Sequence, residues 1–426
     1  MHDFQFKNKE LYCESLKVSA VARKVGTPFY LYSYKTLIDH FQKIEKAFSA
    51  VHPLICFAMK SNDSLAVLKA LADQGAGFDI VSGGELKKAA RVNADPKKIV
   101  FASVGKTEEE IILGIKTGIL FFNVESLPEL EEINRIARKI GKRARIALRI
   151  NPDVNAVTHD LITTGTLKNK FGIDLATARR ILKDPRKFSH TEITGLHIHI
   201  GSQIVSQSPF IHALKKVEGF IRDLRAEGVK LEYLDIGGGL GIIYKDEQPQ
   251  TAQDFAQAVL PYLERIGLKV IMEPGRFIAG NAGIFVTKVL YLKDNGFKNF
   301  LIVDGGMNDL IRPLLYDAYH EIVPLKRSTA PQITVDVVGP ICESGDFFAK
   351  NRRLPRMKRG DLVAIMSAGA YGHVMSSNYN ARCRVPEILV KGNQFSIVKR
   401  RETFADLIRG ESIPNFLKSS SKIKCP

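Results

Sequence analysis

A (β/α)8 barrel of the TIM type, followed by a second, β-rich domain of barrel or sandwich form, is the fold this sequence predicts. Three observations predict it. Between residues 55 and 273, eight short apolar runs alternate with stretches of helical periodicity. Eight such units over about 220 residues match the arithmetic of a closed parallel barrel, with a doubly wound open sheet as the alternative. After Gly280 the helical period fades, and short Val/Ile-rich runs broken by Gly, Pro, Asn and Asp take over.

The barrel runs are 55–60, 77–81, 98–102, 119–124, 144–150, 194–200, 231–236 and 268–273. They are nearly continuously apolar, as strands covered on both faces must be. Between them lie helices, of which the clearest begins at Ser126. Ser126-Leu127-Pro128-Glu129 supplies an N-cap, a first-turn proline and an acid three residues after the cap. Leu130, Ile133, Ile136, Ala137 and Ile140 then recur at helical spacing, and Gly141 ends the run. In the second domain the strand-like runs are 283–292, 300–304, 333–338, 362–366 and 387–390, while the run 27–33 could join either domain. The predicted boundaries are 34–280 for the barrel, with 1–33 and 281–426 forming the β-rich part. The Ser- and Lys-rich tail from Lys418 is expected to be loose.

A chain of 426 residues with 45% hydrophobic and 25% charged residues is a globular mix, which excludes disorder, collagen and a disulfide-stapled miniprotein. No apolar run is long enough to span a bilayer. Met1-His2-Asp3-Phe4 opens no apolar leader core, so a cytoplasmic location is expected and no membrane partner. The five cysteines (Cys13, Cys56, Cys342, Cys383, Cys425) form no C-x-x-C pair and read as reduced thiols. Basic residues outnumber acidic ones 62 to 45, for a net +17. The densest groups are Arg352, Arg353, Arg356, Lys358 and Arg359, then Lys399, Arg400 and Arg401. Neither is interleaved with aromatics, so no nucleic-acid partner is expected.

Barrel enzymes carry their reacting groups at the C-terminal ends of the strands. Those ends hold Lys60, Asp79 with Ser82, Arg149 with Asn151, His197 with His199, the glycines Gly237, Gly238 and Gly239, and Glu273 with Arg276. Lys60 closes an apolar run. Apolar walls would lower its pKa and favour an imine with an aldehyde, although a strand-end lysine reaching for solvent would look the same. Three successive glycines let amides crowd around an anion, or simply form a tight turn. Ile242 stands where a dinucleotide fingerprint needs glycine, and Val100 where a P-loop ending in Gly105-Lys106-Thr107 would need one. In Glu273-Pro274-Gly275-Arg276 the carboxylate could hold a heterocyclic nitrogen, and the glycine and arginine could reach a phosphate or carboxylate. His197 and His199 share one face of a strand, but only Asp235 follows as a further ligand, so no metal is expected. Cys342 lies among acids in Cys342-Glu343-Ser344-Gly345-Asp346, where it could donate a proton or be inert, and Tyr371 centres a Gly-Ala-Tyr-Gly loop.

Taken in order, these segments resemble the diaminopimelate decarboxylases, pyridoxal-phosphate enzymes built on an alanine-racemase-like barrel. The resemblance runs through Phe57-Ala58-Met59-Lys60-Ser61-Asn62, Phe78-Asp79-Ile80-Val81-Ser82-Gly83-Gly84-Glu85-Leu86, Asn123-Val124-Glu125-Ser126 and Arg149-Ile150-Asn151-Pro152. It continues in Lys170-Phe171-Gly172, His197-Ile198-His199-Ile200-Gly201-Ser202-Gln203, the glycine triplet and the Glu-Pro-Gly-Arg turn. It ends with the run from Asp304 to Tyr316, the Cys-Glu-Ser-Gly-Asp run and the Tyr371 loop. Ser61, where alanine is commoner, and Ser103-Val104, where Gly-Asn often stands, depart from the pattern.

The resemblance implies that Lys60 carries pyridoxal phosphate covalently, with Asp79 among the residues that bind it. His199 would stack on the cofactor ring and Glu273 would pair with its nitrogen. Ser202, Gly237, Gly238, Gly239 and the Pro274-Gly275-Arg276 backbone would hold the phosphate. Arg276, Arg312 and Tyr316 would bind a substrate carboxylate, Glu343 the distal ammonium, and Tyr371 both cofactor and substrate. Cys342 would protonate the carbon after CO2 leaves, from a loop donated across a homodimer. The implied reaction is decarboxylation of meso-diaminopimelate to lysine, with a decarboxylase of arginine, ornithine or carboxynorspermidine, or a non-catalytic homologue, as alternatives.

Overall fold

Residues 2–154 and 170–418 are described by the computed structural model. The segment beyond 418, with Cys425 and nearly all of the tail expected to be loose, lies outside the described residues.

All eight barrel runs form strands: β1 (Leu54–Ala58), β2 (Gly77–Ile80), β3 (Ile99–Phe101), β4 (Phe121–Val124), β5 (Ala144–Arg149), β6 (Thr191–His197), β7 (Tyr233–Asp235) and β8 (Lys269–Met272). Each pairs in parallel with the next, and β8 returns to β1 through Ile271 opposite Leu54, which closes the barrel. The open-sheet alternative falls away. Most of the strands stop short of the apolar runs. Lys60, for instance, sits in a 3-10 turn (Met59–Ser61) just past β1, so its side chain rises from the rim instead of lying in the wall.

Inside the barrel, Cys56, Val100, Phe121, Ala147 and Ile271 form an apolar plug of their own. Polar residues lie towards the other end, where Asp79, Asn123, Arg149, His197, Asp235 and Glu273 are all buried. Helices cover the outside. Ser126 caps Leu127–Lys139 by accepting from the Glu129 amide, and Leu130, Ile133, Ile136 and Ala137 are buried. Loss of such a cap costs about 1 kcal/mol.

The second domain is a nine-stranded sheet. Strand Phe29–Ser33 runs antiparallel to Gly283–Asp294 and parallel to Glu387–Lys391, so the run near residue 30 belongs here. Three strands of this sheet escaped the sequence reading, Ile322–Pro324, Phe347–Pro355 and Gln394–Lys399. The last two are edge strands, and their basic side chains, Arg352 and Arg353 among them, mask the apolar alternation while discouraging edge-to-edge pairing. The domain is stitched to the barrel mouth: Tyr371 N–H donates to Ser61 O (2.8 Å), and Asn62 Nδ2 donates to Gly369 O (2.9 Å). Those bonds place the Tyr371 loop over the strand ends.

Candidate active site

Ala58 of β1 pairs with Asp79 of β2, and the turn beyond Ala58 brings Lys60 Nζ to 2.8 Å from Asp79 Oδ2. This overturns the expectation of a depressed lysine. Burial pulls the amine down, but Asp79 and Glu273 outweigh it, and Lys60 is held well above the ordinary lysine value. The pair is unequal. Lys60 feels two carboxylates, whereas burial and the Glu273 charge push Asp79 up to about 7 against a single nearby cation.

Glu273, just past β8, accepts from His197 Nε2 (3.2 Å) and Asn123 Nδ2 (3.3 Å). Burial alone would raise its pKa, but His197 and Lys60 hold it below the usual carboxylate range. Asp235 is shifted the other way, well up, by burial and by Glu273. His197, Asp235 and Glu273 bring potential ligand atoms within 4.8 Å of one another. The buried cluster therefore gathers around Glu273 and does not include His199.

His199 Nδ1 accepts from the Gly238 amide (3.2 Å), which requires a bare nitrogen there. Burial, then Lys60 and Arg149, push its pKa well down, so the ring is neutral and uncharged against the cavity. Arg149 itself is engaged with Glu125 at 2.9 Å and lies over Phe171.

The glycine triplet forms the tight turn. A Cβ on Gly237, Gly238 or Gly239 would strike the backbone carbonyl of Ile198, Glu273 or Gly201, so the turn is packed tightly between β6 and β8. Its amides are not all available, contrary to expectation. Gly237 donates to Asp235 Oδ1 (2.9 Å) and Gly238 to His199. The Gly239 and Gly275 amides have no hydrogen-bond acceptor among the described residues.

Arg276 and Arg312 are buried, and neither forms an ion pair among the described residues. Arg276 donates to Tyr244 Oη (2.7 Å) and to Ser202 Oγ (3.1 Å), and it lies 4.9 Å from the Tyr371 ring. Arg312 opens the short helix Arg312–Tyr316 and lies 4.7 Å over Tyr244, with Tyr316 half-buried at the end of the same turn. Tyr371 has φ of +56°, a left-handed backbone uncommon for a tyrosine, held by the Ser61 carbonyl. Lys60, His199, Ser202, Gly239, Glu273, Pro274, Gly275, Arg276 and Tyr371 line one cavity.

That set fits pyridoxal phosphate. An amine for the aldehyde, a carboxylate for the ring nitrogen, a neutral ring, and free amides beside an unpaired guanidinium share one wall. A family described as "Pyridoxal-dependent decarboxylase, pyridoxal binding domain" matches residues 34–280. A diaminopimelate decarboxylase of Aquifex aeolicus is 46% identical over 401 residues, covering 94% of this chain and 95% of its own. The chain belongs to the diaminopimelate decarboxylases. Among solved members, the Helicobacter pylori enzyme complexed with L-lysine is 41% identical with a TM-score of 0.89, covering 92% of this chain and 98% of its own. The M. jannaschii enzyme, also with L-lysine, is 37% identical with a TM-score of 0.93, covering 98% and 100%. Pyridoxal phosphate is the cofactor of the domain matched here.

Within this diaminopimelate decarboxylase fold, four residues expected to serve the substrate, Arg312, Tyr316, Cys342 and Glu343, do not line the Lys60 cavity. Cys342 and Glu343 are exposed, and the Cys342 amide donates to Asn380 Oδ1 (2.9 Å). Ser82 serves as a helix cap for Gly83–Arg91. Lys106, of the failed P-loop, buries its amine against Glu129 Oε1 (2.6 Å) and the Asn123 carbonyl (2.8 Å), bracing the strand that carries Asn123. Sequence reasoning gave no role to Tyr244 or His320. Tyr244 stands between Ile242-Ile243 and Lys245-Asp246 and His320 is a lone histidine, so neither carries a spacing signal.

Proposed function

We propose that this chain removes one carboxylate of meso-diaminopimelate as CO2 and releases L-lysine, as a cytoplasmic homodimer whose two chains share each active site. The observation that carries the substrate reading is the pair Arg276 and Arg312, 7% and 5% exposed, with no carboxylate partner among the described residues. A buried charge is costly unless paired, so these two guanidiniums, Arg276 lining the cavity and Arg312 stacked on Tyr244, await anionic ligands. A phosphate takes one, and a substrate with a second carboxylate takes the other.

Pyridoxal phosphate supplies the electron sink that accepts the pair left when the C–CO2 bond breaks. Every other task falls to this chain. Lys60 anchors the cofactor and Glu273, fixed by His197 and Asn123, keeps a proton on the ring nitrogen. His199 offers a flat neutral wall that does not compete for that proton. Ser202, Gly239, Gly275 and Arg276 hold the phosphate. Arg312, Tyr316 and Tyr371 fix the substrate carboxylate, so that the bond to be broken has one orientation. Glu343 from a second copy takes the distal ammonium. Cys342, from the same loop, gives its Sγ proton to the carbon that lost CO2 and regains one from solvent. Its exposure in a single chain suits delivery across a dimer interface.

The test is product analysis with meso-diaminopimelate, ornithine and arginine. Lysine formation from the first alone is expected, and turnover of the others without the first would overturn the proposal. The purified protein should also show the visible absorbance of bound cofactor, lost in Lys60→Ala.

A further inference from the structure

We infer that His320 sets the orientation of the Arg312 guanidinium and thereby the affinity for the substrate carboxylate. The inference rests on the reading of Arg312 given above and adds a positioning residue to it.

His320 is completely buried. Its Nδ1 lies 2.8 Å from the Met366 carbonyl and its Nε2 lies 2.8 Å from Arg312 Nη1. A carbonyl only accepts and a guanidinium only donates, so the tautomer is dictated: the proton is on Nδ1 and Nε2 is a bare acceptor. The charged groups around the ring are Arg312, Arg276 and Arg352, the last donating to the His320 carbonyl at 3.1 Å. Burial, then these cations, push the imidazole down to about 3, which keeps it neutral wherever the enzyme works.

The ring also meets Tyr244 edge-on, with centroids 5.4 Å apart at 78°. Tyr244 in turn presents its face to Arg312 at 4.7 Å. The guanidinium is therefore held by Tyr244, through its ring face and hydroxyl, and by the His320 lone pair on Nη1. Its Nε has no acceptor among the described residues, so the edge formed by Nε and Nη2 is the one left to a ligand. Two parallel N–H groups on one edge match a carboxylate bidentately. Without the His320 lone pair, the guanidinium keeps only its contacts with Tyr244, and its ligand-facing edge is free to turn away.

The experiment compares His320→Gln, His320→Asn and His320→Leu in the holoenzyme. Glutamine can keep an acceptor near Nε2, asparagine keeps only the donor to Met366, and leucine keeps neither. A hydrogen bond to a charged group corresponds to roughly a 10- to 100-fold effect on binding. Asparagine and leucine should raise KM for meso-diaminopimelate and the dissociation constant for lysine by at least about tenfold, with kcat within about threefold. Glutamine should restore both, and the visible spectrum of the cofactor should not change in any variant. Equal KM values for the asparagine and glutamine variants would overturn the inference, even if leucine fails to fold. So would a fall in kcat with KM unchanged, or loss of cofactor, which would mark a structural role. Wild-type inactivity on meso-diaminopimelate would instead sink the functional reading.

Discussion

Asp79→Asn isolates what holds the Lys60 amine in its charged form. The substitution keeps the size of the side chain and one acceptor oxygen, and removes a charge 2.8 Å from Nζ. Coulomb's law at that distance gives roughly 6 kcal/mol at an effective dielectric constant of 20 and about 1.5 kcal/mol in bulk water. The Lys60 side chain is 34% exposed, so solvent screening pulls the effect towards the lower figure. At about 1.4 kcal/mol per pKa unit, the amine should drop by about one to two units. Its direction in the intact protein is upward, so the drop moves it back towards neutrality.

Only the unprotonated amine attacks an aldehyde, and its fraction near pH 8 should rise about 10- to 100-fold in the variant. The assay is reconstitution: apoprotein is mixed with pyridoxal phosphate, and growth of the visible band is followed from about pH 6.5 to 9. Asp79→Asn should attach cofactor faster than wild type above about pH 7, with the gain shrinking below it as Asp79 itself takes up a proton. Identical rates and profiles would show that Asp79 does not control the amine.

Glu85 accepts from the Val81 amide at 2.7 Å, yet burial pushes its carboxyl up to about 7. A raised acid stabilises the fold while protonated, fully below about pH 4.5, and loses that contribution as pH rises through about 7. Glu85→Gln should therefore raise the melting temperature near pH 8 and leave it almost unchanged near pH 4; equal shifts at both would refute this. Cys342→Ala should lower kcat by about 10²- to 10⁴-fold with the cofactor spectrum intact, and wild-type turnover would remove the proton-donor role. Tyr244→Phe deletes the oxygen that Arg276 donates to while keeping the ring beneath Arg312. It should weaken retention of the cofactor by about 5- to 20-fold in dialysis, whereas loss of substrate affinity alone would place Arg276 elsewhere.

The barrel was legible because its eight units repeat one physical rule, apolar strand then amphipathic helix, and each repetition reinforces the others. Lys60, Glu273 and the glycine turn were legible for a related reason: strand ends are where a barrel can place polar groups without interrupting its wall. What periodicity could not carry was the identity of each group's partner. The environment of Lys60 was misjudged because the apolar residues before it in sequence are not its neighbours in space; Asp79, from the next strand, is. Two of the three glycine amides were already taken, by Asp235 and His199, for the same reason.

Partnership, once seen, sets two arginines apart from the other buried cations. Arg149 has Glu125 and Lys106 has Glu129. Each is a buried charge with its opposite in place, and each needs nothing further. Arg276 and Arg312 break that rule on either side of Tyr244, resting on a phenol, a hydroxyl and an imidazole lone pair. Neutral acceptors orient a guanidinium without cancelling its charge. A pair held that way stays positive until an anion arrives, which is the property a carboxylate-reading site requires.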